Sequence, residues 1–266
     1  MLAVIAATAP SALAGFSNNI LLTGYWPPTN EMLRPWSSNS EQNPDGWVGE
    51  NWEGRGYNIH SFFPEFPNGV GQGVGDFEVD YQDTSADWWR ITEELRPVAI
   101  ITFSRGAANL SWEIESRNRK LPLNQWSPDY TAPFRPTEDL PIADEPDNLI
   151  RHSSLPMNNI RSAINAAGLG IFSTIDTSNN FGGNFLSEFI GYHGNWYHDL
   201  HADEADPWWN VAAGHIHVGI PVSVAQGRAA TEITLRELIA HVDSIVPEPA
   251  TLLGLVLLAT VLRRRA

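Results

Sequence analysis

Three stretches of the chain bring together residue types able to do nucleophilic or acid–base work. In 180–193, NFGGNFLSEFIGYH, Gly182 and Gly183 turn the chain out of a strand into a helical pattern that carries Ser187 early in its length. A side chain there feels the helix N-terminal field, which stabilises a developing anion. In 214–218, GHIHV, strand alternation puts His215 and His217 on one face with Ile216 opposite, so one of them can serve as a base. In 111–118, SWEIESRN, Glu113 and Glu115 are available to orient a histidine. The chemistry on offer is hydrolysis by an activated hydroxyl. Each pattern also has a plain structural counterpart: a capping serine, a hydrogen-bonded strand histidine, a solvated pair of glutamates.

Composition removes the competitors. The chain has no cysteine, so thiolate nucleophiles, thiolate metal sites and disulfides are excluded. Lys120 is the single lysine, which leaves Schiff-base chemistry one candidate. A net charge of −15 repels phosphate backbones, so nucleic acid is not expected as a partner.

A rival chemistry lies in 196–209, WYHDLHADEADPWW. His198, His201, Asp203, Glu204 and Asp206 offer imidazole and carboxylate ligands to zinc or another divalent ion. Their spacing fits no recognised metal motif, and the run reads as an acidic surface insertion, so neither metal nor cofactor is assigned. Eleven tryptophans, several in loop-like stretches, offer stacking platforms to saccharides or peptides and sustain a non-catalytic binding reading.

These residues need a scaffold, and the 266 residues alternate in a way that supplies one. Residues 19–23 and 98–103 are short apolar runs of strand character. Residues 85–96 read as a helix capped by Asp83 or Thr84 and stopped by Pro97. A second helix over 158–167 precedes a strand at 169–175, residues 214–222 form a later strand, and 231–242 close the domain as a helix. Such alternation predicts an α/β domain with a largely parallel sheet. Residues 34–56 are loop-like, and the six prolines of 121–149 predict a long surface excursion.

Both ends read as address labels. Residues 1–14 are an apolar run ending Ala-Leu-Ala, which suits signal-peptidase cleavage before Gly15. At the other end Pro247-Glu248-Pro249 leads into thirteen apolar residues, 250–262, and then Arg263 to Arg265. Thirteen helical residues reach about 20 Å against a hydrocarbon core of about 30 Å, which suits transient anchoring with the body outside. The tail resembles the PEP-CTERM sorting signal. That resemblance implies an exosortase-type sorting enzyme as partner, with residues 15–246 as the exported domain in the cell envelope or outside it.

The body resembles pyroglutamyl peptidase I, the pyrrolidone carboxyl peptidase family, in four ordered places. Thr23-Gly24-Tyr25-Trp26-Pro27-Pro28 stands for its T-G-F-x-P-F, and Arg34-Pro35-Trp36 for its N-P-S. Phe103-Ser104-Arg105-Gly106 leads to Glu113, with Asn118 at the matching five-residue offset. Residues 178–188, SNNFGGNFLSE, follow the nucleophile motif with Ser187 where the cysteine belongs, and His215-Ile216-His217-Val218 matches F-I-H-V-P. The resemblance implies a three-layer α/β/α sandwich with a largely parallel central sheet. It implies Ser187, His217 and Glu113 as nucleophile, base and orienting carboxylate, and Tyr25, Pro28 and Asn118 at the substrate end. Pro28 replaces the second ring-binding aromatic and Glu188 the asparagine after the nucleophile, so the implied substrate is a peptide or amide of unassigned specificity. The expectation is an exported serine-variant peptidase or amidase; the alternative is a catalytically inactive envelope or extracellular binding protein on the same fold.

Overall fold

The computed structural model describes residues 16–246. The expected leader, 1–14, and sorting tail, 247–266, lie outside the described residues. Within them eight strands run in chain order: β1 (Asn19–Tyr25), β2 (Asn58–Phe62), β3 (Ala99–Arg105), β4 (Ser111–Glu115), β5 (Arg117–Arg119), β6 (Ile150–His152), β7 (Phe172–Asp176) and β8 (Ala212–Val218). Five α-helices accompany them: α1 (Thr29–Leu33), α2 (Tyr81–Leu95), α3 (Met157–Ala166), α4 (Leu186–Leu200) and α5 (Val224–Ile245).

Six strands form one sheet in the order β2-β1-β3-β8-β4-β7, and β5 pairs with β6 in a small separate ribbon. All neighbours in the large sheet are parallel except β8 and β4, which run antiparallel. The apolar runs of β1 and β3 account for their central places, because a parallel strand covered on both faces has no side for water. Ile20, Leu22, Ile101, Phe103, Ile114 and Ile216 face the layer built by α1, α3 and α5. Leu21, Ile100 and Ala213 face the layer of α2 and α4. The architecture is therefore the expected three-layer α/β/α sandwich.

Three local expectations differ. Helix α2 starts at Tyr81 because the Asp80 carboxylate accepts from Gln82 N and Asp83 N, a cap one turn earlier than Asp83 or Thr84. The 121–149 excursion does not merely cross the surface. Trp126 and Ile142 are fully buried, Trp126 against Tyr81 and Phe189, so single side chains pin the strap onto α2 and α4. The supposed insertion at 196–209 begins inside α4, which continues to Leu200 and buries Trp196 and Tyr197; only the residues beyond it form a loop. No helix of the described residues is long and apolar enough to cross a membrane.

Candidate active site

Strand alternation fixes which side chains share the face beneath α2 and α4. On β8 these are Ala213, His215 and His217; on β3, Thr102 and Ser104; on β4, Glu113 and Glu115. His215 is fully buried, and both ring nitrogens are satisfied: Nδ1 lies 2.8 Å from Thr102 Oγ1 and Nε2 2.8 Å from Ser104 Oγ. Thr102 Oγ1 donates to Gly214 O at 3.3 Å, so it accepts from Nδ1–H, and Ser104 then donates to Nε2. Burial, and secondarily the neighbouring His217, hold the His215 imidazole neutral, well below its ordinary pKa. It is a structural histidine on which the His217 ring rests edge-on, with centroids 4.7 Å apart.

His217 is the chemically available one. Its Nδ1 lies 2.7 Å from Glu115 Oε1, where the sequence reading put Glu113. The antiparallel register sets Glu113 directly opposite His217 and Glu115 opposite His215, so the bond runs diagonally along the ladder. Burial explains the choice. Glu115 is only 2 % exposed, and an ionised carboxylate cut off from water must find a partner. Glu113 is half-buried and makes no side-chain hydrogen bond among the described residues. Its carboxyl is pushed up first by burial and then by the charge of Glu115. With Nδ1–H donated to Glu115, His217 Nε2 keeps its lone pair.

Ser187 arrives from the neighbouring strand. The chain leaves β7 at Asp176, loops through 177–185 and enters α4, where Ser187 is the second residue. Phe185 provides no side-chain cap, so the first N–H groups of α4 have no partner from it. The loop is tied down by Glu188, a buried carboxylate that accepts from Asn118 Nδ2 at 2.8 Å, from Gly182 N at 2.7 Å and from the Arg119 backbone N–H. Burial raises Glu188 to about 7 against the pull of these three donors. A Cβ on Gly182 would stand 2.7 Å from Glu188 Oε2, and Gly183 sits at φ +93°, so both glycines of the motif are required by geometry. Arg117 and Arg119 also lie over the Phe181 ring, at 5.1 and 4.6 Å.

Ser187, His217 and Glu113 thus line one open pocket of about 360 Å³, together with Glu115, Asp176 and Arg105. Among the described residues no hydrogen bond joins Ser187 to His217. The three expected substrate-end residues are not on this pocket. Tyr25 is buried with its hydroxyl 2.6 Å from Thr84 Oγ1, Pro28 is buried at the start of α1, and Asn118 is consumed in holding Glu188 and accepting from Asn195. The motif match fixed their positions along the chain, while burial takes all three side chains away from this pocket. Arg105, which does line the pocket, lies 5.5 Å from the ring centre of Trp26, and Trp26, at φ +60°, stacks on Phe185 with centroids 6.0 Å apart. The Trp26 position was visible inside the quoted motif, but nothing in the sequence signalled its left-handed turn.

No family model matches the chain, and no curated protein matches it. Solved structures do. Pyrrolidone carboxyl peptidase from Thermococcus litoralis superposes with a TM-score of 0.59 at 15% identity, covering 87% of this chain and 99% of that one. The fold is that of pyroglutamyl peptidase I. Pyroglutamyl peptidase I from Bacillus amyloliquefaciens gives 0.59 at 16% identity over 86% of this chain and 98% of its own. The pyrrolidone carboxyl peptidase of Pyrococcus furiosus gives 0.59 at 15% identity over 84% and 99%. At this identity the likeness is one of fold, and it covers 84–87% of the chain.

Proposed function

We propose that the chain is a peptidase- or amidase-type hydrolase with Ser187 as nucleophile, His217 as general base and Glu115 as the carboxylate that orients the imidazole. The observation that carries this reading is the buried Glu115 on His217 Nδ1, which leaves Nε2 basic on the pocket that Ser187 also lines. Ser187 Oγ attacks the amide carbonyl carbon as its proton passes to Nε2; the open N–H groups at the start of α4 receive the oxyanion. His217 returns the proton to the departing amine, and water then cleaves the acyl ester by the same base. The gap between Ser187 and His217 closes on substrate binding, as catalytic hydrogen bonds do in other unliganded hydrolases.

The test is a survey of N-terminally blocked peptide and amide substrates with the full chain and its Ser187→Ala variant. Ser187 makes no side-chain hydrogen bond among the described residues, so the variant is expected to melt within about 2 °C of the parent while its turnover falls to background. An unchanged rate in the variant rejects Ser187 as nucleophile.

A second reading, a catalytically inactive binding protein, is favoured by the missing Ser187–His217 bond and by the stack in which Arg105, on the pocket lining, lies over Trp26 and Trp26 over Phe185. A parent silent on every substrate that still retains a peptide or saccharide ligand, with affinity lost in Trp26→Ala, selects it.

Export belongs to the same proposal. The signal-like start and the Pro-Glu-Pro tail support delivery to the envelope and processing by an exosortase-type enzyme. Intact-mass measurement on protein from its native envelope is expected to show a chain lacking Arg263 to Arg265. Recovery of the full-length C-terminus overturns the sorting proposal alone.

A further inference from the structure

We propose that Glu113, Glu115 and His217 form a binding site for a divalent transition-metal cation such as zinc. One ligand atom from each residue lies within 4.8 Å of the other two. All three stand on β4 and β8, adjacent strands of one sheet, so the backbone holds the donors in place before any ion arrives. A tetrahedral zinc with bonds of about 2.1 Å needs its donors roughly 3.4 Å apart. Glu113 has no partner to give up among the described residues and supplies the remaining movement by rotating its side chain.

The donor set is mixed, not merely acidic. One imidazole nitrogen with two carboxylates suits zinc, manganese or iron rather than calcium or magnesium, which prefer oxygen alone. The surrounding charge points the same way. Asp176, paired with Glu115 in the β4–β7 register, adds a third carboxylate to the pocket. Arg105, the one arginine on the lining, makes no ion pair with any of the three and lies over Trp26 instead. The open cavity leaves a coordination position for water.

Binding has a definite proton balance. The cation enters between His217 Nδ1 and Glu115 Oε1, now 2.7 Å apart, and the ring proton that they share shifts through solvent to Nε2, so the imidazole stays neutral and no net proton is released. A neutral imidazole carries one ring proton, and with the metal on Nδ1 it sits on Nε2. A metal-loaded His217 therefore has no lone pair for Ser187, and the cation silences the base of the proposed hydrolase. The site itself does not depend on that activity, since it follows from the donor geometry.

The test titrates Zn²⁺ into chelator-treated full-length protein, reading calorimetry and melting temperature. Saturable one-to-one binding in the micromolar range and a melting rise of several degrees at saturation are expected. Glu113→Gln should melt like the metal-free parent and bind zinc at least tenfold more weakly. Ser187→Ala should bind as the parent does, which separates failure of this site from failure of the hydrolase reading. A His198→Ala, His201→Ala double variant should also bind as the parent, because His201 Nδ1 is already 2.9 Å from Asp206 Oδ2 and His198 Nδ1 3.0 Å from Asn210 O. Absence of saturable binding below millimolar zinc overturns the proposal. So does parent-like affinity in Glu113→Gln, or loss of binding in the double variant.

Discussion

Glu115→Gln is expected to slow the hydrolysis of any substrate that the parent turns over by about 10³- to 10⁴-fold, in kcat more than in KM. Glu113→Gln should cost less than tenfold. Glu115 is shut from water and bonded to Nδ1; a carboxamide there can donate to that nitrogen, shifting the ring proton to Nε2, where it blocks proton removal from Ser187. The same amide cannot stabilise the imidazolium that forms during attack. Glu113 is opposite His217 in the ladder yet makes no side-chain hydrogen bond among the described residues, so its amide leaves the tautomer alone. Rates should be taken with chelator present, keeping the pocket clear of cations. If the order of the two variants is reversed, Glu113 becomes the orienting carboxylate and the diagonal pairing has no catalytic role.

Glu188 is expected to give the protein a stability that falls as pH rises toward neutrality. Its folded pKa, about 7, stands above the usual 4.5 because burial disfavours the charge. A carboxyl shifted upward stabilises the fold fully below its unfolded pKa, and that contribution disappears as pH climbs through the folded value. A rise of that size corresponds to about 3 kcal/mol between pH 4.5 and 8. Glu188→Gln removes the titration while keeping an oxygen for two of the three donors. Urea unfolding should therefore show parent stability, relative to the variant, dropping by about that amount across the interval. Parallel stability curves for the two proteins reject the raised pKa. Glu188→Ala should be worse than either, by about 3–5 kcal/mol, since it strands buried donors and opens a cavity.

The layers were legible because the buried strands of a parallel sheet are written in apolar runs, as in residues 98–103, and their helices end at Pro97 or Gly168. Strand β4 was harder. Its five residues include two glutamates on one face, so the stretch reads as chemistry before it reads as structure. That same period of two explains the limit on the site. Glu113 and Glu115 are equivalent by alternation, and only the antiparallel pairing with β8 and the depth of burial distinguish them. The Arg105–Trp26–Phe185 stack was illegible for another reason: Trp26 takes its place in it through a positive φ that a non-glycine residue seldom adopts and no residue pattern announces. In 121–149 the buried anchors Trp126 and Ile142 carry no periodicity because they are isolated pegs in an irregular strap.

The bond between His217 and Glu115 joins residues 102 positions apart, and Glu188 reaches Asn118 across 70. Such distant pairs form only after the entropy of closing very long loops has been met by the rest of the sheet. A growing chain acquires its carboxylate, then its hydroxyl, and its imidazole only when β8 has emerged and slotted between β3 and β4. The proposed triad therefore has no existence in an incomplete or extended chain. If the protein crosses a membrane unfolded, it travels as an inert thread, and its chemistry begins where it folds.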